Sequence, residues 1–209
     1  MLSDGTFCEP LNAFGKLSAK LAKKQRKLAR KVKKSRNWQK QKRKITDLHV
    51  RIADARKDHL QKLSTTISKN HTVCVLEALQ VKNMTASAKG TEEKPGRNVR
   101  QKAGLNRSIL DQGWAAFRLM LEQKQFERGG MVLYVNPAYT SQTCSRCGHV
   151  SSENRKSQSR FACQSCGLEI HADLNAARNI ASRVGHTRLA CQANDAARSS
   201  ATGTFQLAA

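Results

Sequence analysis

Four cysteines in the last third of the chain have the spacing of a metal site. They form two Cys-x2-Cys pairs separated by fifteen residues: Cys144 with Cys147, and Cys163 with Cys166. Zinc takes thiolate or imidazole ligands in a tetrahedron, and two tight turns of this kind offer four thiolates. His149 and His171 lie close by and are alternative ligands, although four cysteines already complete the site. The sequence therefore predicts a closed zinc ribbon whose metal is structural.

Two acidic residues have contexts typical of a divalent-cation site. Glu77 interrupts the apolar run 73–79, where an unpaired buried carboxylate is costly unless something compensates for it. Asp173 opens the helical run 173–180, and its simpler interpretation is a helix N-cap. Magnesium is bound by a few carboxylate oxygens together with water and substrate phosphate, and such acids support phosphodiester cleavage. Glu77 and Asp173 together therefore suggest a magnesium site for phosphodiester cleavage, and the N-cap interpretation of Asp173 remains its alternative.

A cleavage site of this type usually needs a third acid, and three aspartates remain as candidates. Asp4 is better explained by the Asp-Gly turn that it begins. Asp111 stands near the start of a predicted helix, as a cap or a surface residue. Asp195 lies in the Ala-, Ser- and Thr-rich tail. We assign none of the three to the site.

The charge of the chain indicates a polyanionic partner. Lys and Arg total 38 against 15 Asp and Glu, a net charge of +23. Nineteen of these bases, with only three aspartates, lie between Lys16 and Lys62. Like charges at this density repel one another, so phosphate contact is favoured over a merely solvated face. Twelve bases of this segment are the predicted nucleic-acid contacts: Lys23, Lys24, Arg26, Lys27, Arg30, Lys31, Lys33, Lys34, Arg36, Lys42, Arg43 and Lys44.

The sequence shows no secretory or membrane pattern. It contains no signal-peptide pattern and no apolar run long enough to cross a bilayer. Seven cysteines, of which four are paired in the motif, are too few for a secreted disulfide scaffold of this length. We therefore expect a reducing cytoplasm and no membrane partner, with Cys74 as a buried apolar residue.

The elements that must position these residues follow from hydrophobic periodicity. Residues 11–70 predict two antiparallel helices that reverse at Ser35-Arg36-Asn37. Their apolar seam is Phe14, Leu17, Leu21, Leu28 and Val32 on the first helix, and Trp38, Ile45, Leu48, Ile52, Leu63 and Ile67 on the second. The basic residues then cover the outside of this hairpin.

The rest of the chain predicts a parallel α/β unit. A buried strand at 73–79 is followed by a polar loop at 82–105, a helix at 106–128 and a strand at 131–135. Leu110, Trp114, Phe117 and Leu121 form the apolar face of that helix. A last helix runs from Asp173 to about residue 184, and the tail 186–209 is expected to be poorly ordered.

Three segments resemble the insertion-sequence OrfB, or TnpB, transposase family. They are residues 105–111 (LNRSILD), 137–144 (PAYTSQTC) and 173–180 (DLNAARNI). The basic hairpin before Glu77 is similar as well, so the resemblance covers about residues 2–185. It implies an α/β fold with an RNase H-like (RuvC-type) nuclease core, in which a zinc ribbon is inserted before the last acid.

The resemblance also implies an activity and its cofactors. Family members are RNA-guided DNA endonucleases of bacterial and archaeal mobile elements, related to type V CRISPR effectors, and use Asp, Glu and Asp with magnesium. Glu77 matches the second acid and Asp173 the third, and zinc is held by the four paired cysteines. DNA and a guide RNA are the implied partners. The implied regions are a partial nuclease domain with the hairpin (1–139), the ribbon (140–170), a last nuclease helix (171–185) and the tail.

The resemblance predicts an N-terminal truncation. The family's first acid lies on an opening strand just before the Asp-Gly hairpin, whereas this chain begins at that hairpin, with Leu2 to Phe7 around Asp4-Gly5. Without that strand, its neighbours in the sheet have unpaired backbone groups. We therefore expect the nuclease core to be incomplete at its N-terminal strand, and the chain to be inactive or poorly stable alone.

Two non-catalytic functions compete with the nuclease. One is a nucleic-acid-binding regulator that uses the basic hairpin and the ribbon. The other is a zinc-ribbon partner of the transcription or translation machinery, which leaves Glu77 and the segment around Asp173 unexplained. Divalent metal bound at Glu77 and Asp173, and lost when either becomes Ala, distinguishes the nuclease from both.

Overall fold

The computed structural model describes residues 1–184, so the predictions for Asp195 and the tail 186–209 lie outside the described residues. The helices are α1 (Ala13–Ala29), α2 (Arg36–Asn70), α3 (Val81–Met84), α4 (Val99–Gln112), α5 (Trp114–Glu127) and α6 (residues 172–184). The strands are β1 (Val73–Glu77), β2 (Met131–Val135), β3 (Arg160–Ala162) and β4 (Glu169–His171), with a short 3-10 helix at Ser152–Asn154.

The described chain forms two compact units. One comprises Met1–Cys8, Cys74–Leu79 and the described residues from Val132 onward. The other comprises Glu9–Val73 and Gln80–Met131. The candidate metal ligands belong to the first unit, which we call the metal-site unit, and the basic hairpin belongs to the second, the hairpin unit.

The helical hairpin is confirmed, but its reversal lies earlier than predicted. The chain turns between Arg30 and Ser35, with Lys34 in the left-handed region at φ 68°. The Ser35 side chain accepts a hydrogen bond from the Trp38 N–H at 3.2 Å, which satisfies one of the first N–H groups of α2. Because Ser35 is the cap, the two residues after it already belong to the helix.

The seam of the hairpin is shorter than the predicted one. Its buried residues are Ala13, Leu21, Leu48 and Ile52, packed against Leu11, Phe14, Leu17 and Ile45. Val32 was predicted in the seam but is 79% exposed, because it stands in the reversal after α1 has ended. Farther along α2, Leu60 is buried and Leu63 only half-buried. Gln41 joins the two helices by donating from Nε2 to the Lys24 carbonyl at 3.0 Å.

The region predicted as a loop and one helix contains the four-residue helix α3 and two longer helices, α4 and α5. α4 begins at Val99, inside the predicted loop, and ends at Gln112, and Gly113 separates it from α5, which begins at Trp114. Gly113 has φ 67°, a left-handed conformation that glycine adopts without a steric penalty and that ends a helix. Leu121 is buried at 1% exposure, whereas Leu110 and Trp114 are exposed, contrary to the predicted apolar face.

Asp111 is buried, not on the surface, and it caps a helix distant in sequence. Both its carboxylate oxygens accept from the Phe14 N–H, at 3.2 and 3.0 Å, and Oδ1 accepts from Arg56 Nη2 at 2.7 Å. Asn12 at the N-terminus of α1 is left-handed and makes no side-chain cap. The carboxylate therefore supplies the missing acceptor from α4.

The two strands of the predicted α/β unit pair side by side and run parallel. The Met131 N–H donates to the Thr72 carbonyl, and the Ala78 N–H donates to the Val135 carbonyl, both at 2.9 Å. The beginning of β2 thus lies beside the beginning of β1, and the two strands also end side by side, as expected for a strand–helix–strand unit. The prediction of a fully buried first strand is wrong, because Cys74 is its one buried residue.

The Asp-Gly pair near the start forms the predicted turn. The Asp4 carboxylate accepts from the Thr6 N–H at 2.7 Å, and Gly5 takes φ 96°. The Leu2 N–H donates to the Thr6 carbonyl at 2.8 Å, but residues 1–10 contain no strand. Among the described residues, no helix combines the length and the apolar character needed to cross a membrane.

Candidate functional site

The four paired cysteines converge on one point of the metal-site unit. Their sulfur atoms all lie within 4.8 Å of one another. The Cys144 and Cys166 sulfurs are 3.7 Å apart and those of Cys147 and Cys163 are 3.6 Å apart. Ligands about 2.3 Å from a tetrahedral zinc ion stand about 3.8 Å from one another. The cluster therefore has the dimensions of a zinc site.

Two matching turns build this cluster. In each, the N–H of the glycine after the second cysteine donates to the carbonyl of the first cysteine, Gly148 to Cys144 at 2.9 Å and Gly167 to Cys163 at 3.1 Å. Both glycines have positive φ, 76° and 70°. The strands β3 and β4 pair antiparallel, and Phe161 of β3 is fully buried in one cluster with Cys144 and Cys163.

Two of the four cysteines have shifted pKa values. The pKa of Cys163 is lowered to about 6, chiefly because the Cys166 backbone N–H donates to its sulfur. For Cys166 the Leu168 N–H lowers the pKa, but burial and the neighbouring sulfurs outweigh it and raise the pKa to about 12. Four thiolates cannot crowd together without a positive charge, which zinc supplies. The residues present therefore fit zinc.

The two histidines near the cluster are not ligands. Within residues 1–184, the one group of three or more Cys, His, Asp or Glu ligand atoms is the four-cysteine cluster. The His149 carbonyl instead accepts from the Cys144 N–H, at 2.9 Å. His171 Nδ1 accepts from the Asp173 N–H at 3.2 Å. His149 thus helps to fix the ribbon through its backbone carbonyl, and His171 helps to fix the helix that follows through its side chain.

Glu77 is the last residue of β1 and is half-buried. Its Oε1 accepts a hydrogen bond from the Thr140 hydroxyl at 2.9 Å. Thr140 itself is 3% exposed and follows Tyr139, which has φ 61°. A charge-assisted bond of this kind compensates for part of the cost of removing a carboxylate from water. The structure thus supplies a partner for the acid that the sequence left unpaired.

Asp173 is not the helix N-cap that its position suggested as an alternative. α6 begins at residue 172, so Asp173 is its second residue, and the residue before the helix is His171. The Asp173 side chain is exposed, and no hydrogen bond or ion pair to it is found within residues 1–184. An exposed carboxylate in the first turn of a helix is available to a metal or a ligand.

Sequence reasoning missed two buried amides on α6. Asn175 and Asn179 are 0% and 6% exposed. Asn175 accepts from the Ser145 N–H at 2.9 Å and donates to the Thr143 carbonyl at 2.7 Å. Their signal was present in the sequence, because asparagine disfavours a helix interior and a four-residue spacing puts both on one face.

The basic hairpin presents its charges to solvent. Ten of the twelve predicted contact residues are exposed, and Lys24 and Lys31 are half-buried. In the described part of the chain, none of the twelve is in an ion pair. Lys42 Nζ lies 5.3 Å from the centre of the Trp38 ring. An unneutralised surface of this kind attracts phosphates.

Two family descriptions match separate parts of the chain. Residues 2–88 match the IS605 OrfB family, described as a probable transposase. Residues 114–180 match the Cas12f1-like TNB domain. The first match contains the basic hairpin and Glu77, and the second contains the four cysteines and Asp173.

Two known proteins are similar in sequence to this chain over most of its length. A putative RNA-guided DNA endonuclease of Escherichia coli K12, InsQ, is 60% identical over 190 residues, which are 91% of this chain and 47% of that protein. A putative RNA-guided DNA endonuclease of Streptomyces pristinaespiralis is 35% identical over 163 residues, 78% of this chain and 37% of its own length. The chain thus spans less than half the length of these relatives.

A solved structure shares the fold. It is a Cas12f1–sgRNA–target DNA complex, with a TM-score of 0.50 and 23% sequence identity. The match covers 81% of this chain and 41% of that one. Most of the described elements therefore follow the mixed α/β arrangement of that protein.

Proposed function

Since the chain belongs to the insertion-sequence OrfB (TnpB) transposase family, we propose that it supplies part of a magnesium-dependent, RNA-guided DNA endonuclease. The relatives that match it over most of its length are named as endonucleases of this kind. The observation that carries the proposal is Glu77, a half-buried strand-end acid held by a buried hydroxyl within the same unit as Asp173 and the ribbon. The core would be of the RuvC type.

Glu77 and Asp173 would hold the magnesium through their carboxylate oxygens. A bound divalent cation activates water and stabilises the leaving oxygen of a phosphodiester. The chain's own contribution is to fix Glu77 through Thr140 and to leave the Asp173 carboxylate open to solvent. The cysteine cluster is closed by four protein ligands, so its zinc would be structural.

The contacts of Asp4 and Asp111 do not favour either aspartate as the third acid of such a site. Asp4 is engaged in its turn, and Asp111 is buried against Phe14 and Arg56 in the hairpin unit. We therefore propose that this acid belongs to the portion of the relatives that the chain does not match. The 209 residues alone are then expected to bind nucleic acid without cutting it.

The partners would be DNA and a guide RNA. The twelve exposed or half-exposed bases of the hairpin provide phosphate contacts, which bind either nucleic acid through charge. A non-catalytic regulator would use the same surface, but it would not need Glu77 fixed by Thr140. The two functions differ in whether a divalent cation binds at the acids.

A chimera tests the nuclease directly. The matching 190-residue segment of the E. coli relative is replaced by that of this chain, and guide-dependent DNA cleavage is measured with Mg²⁺. Cleavage is expected in the chimera and is expected to disappear with Glu77→Ala or Asp173→Ala. Glu93→Ala, at an exposed acid of the hairpin unit, is the matched control and should still cut. An inactive chimera beside an active relative would contradict the proposal.

A further inference from the structure

A chain of hydrogen bonds connects the Glu77 carboxylate to the zinc-binding turn. Its first link is the Thr140 hydroxyl, 2.9 Å from Glu77 Oε1 and 3.0 Å from the Pro137 carbonyl. A hydroxyl has one proton, and an ionised carboxylate is the stronger acceptor. The proton of Thr140 is therefore directed to Glu77, and one oxygen of this acid is fixed.

Thr140 is in turn held by its backbone. Its N–H donates to the Pro137 carbonyl at 3.3 Å, and its own carbonyl accepts from Asn179 Nδ2 at 2.8 Å. Tyr139 just before it is left-handed, a conformation that is unfavourable for a non-glycine residue. Such a conformation persists only where its surroundings impose it. The backbone around Thr140 is therefore fixed by its surroundings, and the position of the hydroxyl is fixed with it.

The remaining links lead to the cysteines. Asn179 Nδ2 also donates to the Thr143 carbonyl at 2.7 Å, and the same carbonyl accepts from Asn175 Nδ2 at 2.7 Å. Asn175 Oδ1 accepts from the Ser145 N–H, within the turn that carries Cys144. An amide nitrogen has two protons and a carbonyl oxygen has two lone pairs, so every link is chemically satisfied.

We propose that Thr140 is a positioning residue for Glu77, and that Asn179 and Asn175 hold Thr140 in register with the zinc-binding turn. This rests on the proposed magnesium role of Glu77 and adds residues to that site. A purely structural role of Thr140 would require the volume of its side chain and its backbone carbonyl, but not the proton of its hydroxyl. A valine has about the same volume as a threonine and donates no proton, so it separates the two roles. The zinc-binding turn thereby helps to fix the position of the Glu77 carboxylate through Asn175, Asn179 and Thr140, which bind no metal themselves.

Divalent-metal affinity tests the role of the hydroxyl. Mn²⁺ binding to the zinc-loaded chain is measured by electron paramagnetic resonance, with Mn²⁺ as the probe. Loss of a group that orients a metal ligand typically weakens affinity 10- to 100-fold, so Thr140→Val should weaken Mn²⁺ binding about 10-fold. Thr140→Ser keeps the hydroxyl and should stay within about twofold of the wild type. Thr66→Val, at an exposed hydroxyl bonded to its own helix in the other unit, is the matched control.

The link through α6 has a test of its own. Asn179 does not touch Glu77, yet Asn179→Ala should weaken Mn²⁺ binding in the same direction as Thr140→Val. Zinc content is measured in every variant, so that a lost ribbon is not mistaken for a lost orientation. Unchanged Mn²⁺ affinity in a zinc-loaded Asn179→Ala chain would overturn the part of the proposal that assigns Asn179 and Asn175.

A thermal-unfolding cycle separates this proposal from the proposed function. The variants Thr140→Val and Glu77→Ala are compared singly and together, without divalent metal. Non-additive shifts in Tm, with the double variant close to the worse single one, support the contact, and additive shifts overturn it. If Glu77→Ala leaves Mn²⁺ affinity unchanged, the magnesium role of Glu77 fails. If Glu77→Ala weakens it and Thr140→Val does not, the positioning role fails.

Discussion

At the scale of single residues, the same side-chain type serves different ends according to what faces it. Asp111 is buried and occupied by the Phe14 N–H and by Arg56, whereas Asp173 is exposed in the first turn of α6. A carboxylate whose oxygens are already paired is a poor metal ligand. Asp111 is therefore a structural residue that links α4 to α1 and α2, whereas Asp173 is a candidate metal ligand.

Asp111→Asn is expected to lower the free energy of unfolding by about 2 kcal/mol, because it leaves Arg56 without its charge partner and weakens the cap of α1. Urea unfolding followed by circular dichroism measures this. Asp58→Asn, in an ion pair whose side chains are 75% and 62% exposed, should change stability by less than about 0.5 kcal/mol. Equal effects of the two changes would show that the bonds of Asp111 to Phe14 and Arg56 contribute no more to stability than an exposed ion pair does.

Cys163→Ser is expected to abolish stoichiometric zinc binding, because a hydroxyl does not replace a thiolate, and the pKa of the Cys163 thiol is lowered to about 6. Zinc per chain, measured by atomic emission, should fall from one to nearly zero. The ribbon around Phe161 should then lose its protection from proteolysis, since metal binding and folding are coupled in such sites. Cys8→Ser, outside the cluster, should retain zinc.

At the scale of elements, glycines decide where helices stop. Gly113 separates α4 from α5, while Gly104 lies within α4 and the helix continues through it. A methyl group on Gly113 would stand 2.9 Å from Leu60 Cδ1, and one on Gly104 would meet nothing within 4 Å. The two positions therefore make a matched pair for the same substitution.

Gly113→Ala is expected to destabilise the hairpin unit by about 2 kcal/mol, through the left-handed φ and the contact with Leu60. Gly104→Ala should instead stabilise it by about 0.5 kcal/mol, because alanine loses less backbone entropy in a helix. Chemical unfolding of both variants checks the pair. Stabilisation by Gly113→Ala would mean that α4 and α5 can merge into one helix.

At the scale of the whole molecule, charge dominates. The net charge is +23, and the twelve hairpin bases form no ion pairs within residues 1–184. Association with nucleic acid should then be driven by release of counterions from phosphates. This predicts strong salt dependence and little sequence preference for the 209 residues alone.

Replacing Lys33, Lys34, Lys42 and Lys44 by Gln should reduce the slope of log affinity against log salt by about 3 to 4, if each contacts one phosphate. Fluorescence anisotropy with a labelled duplex across a salt series measures the slope. Four other exposed lysines, Lys57, Lys69, Lys89 and Lys94, are changed to Gln as the charge-matched control. Equal slopes for the two quadruple variants would show that the lysines at and just after the reversal of the hairpin have no special role in binding.

The sequence by itself determined the local chemistry of this protein. The cysteine spacing predicted the cluster, and the helical hairpin and the two strands followed from periodicity, because these signals lie within a few residues of one another. Glu77 stood out as an acid in an apolar run, and the segments at 105–111, 137–144 and 173–180 indicated the family. The break at Gly113 was missed, since one glycine inside a periodic run predicts a helix end only weakly.

The tertiary structure alone decided which distant groups meet. Thr140 reaches Glu77 across 63 positions, and Asp111 reaches the Phe14 N–H across 97. Asn179 meets the Thr140 carbonyl across 39. Periodicity shows which side of an element faces inward, but it does not show which buried donor finds which acceptor on another element. Those pairings depend on how the elements pack. Here they make Asp111 a structural residue and give the Glu77 carboxylate its hydrogen bond from Thr140.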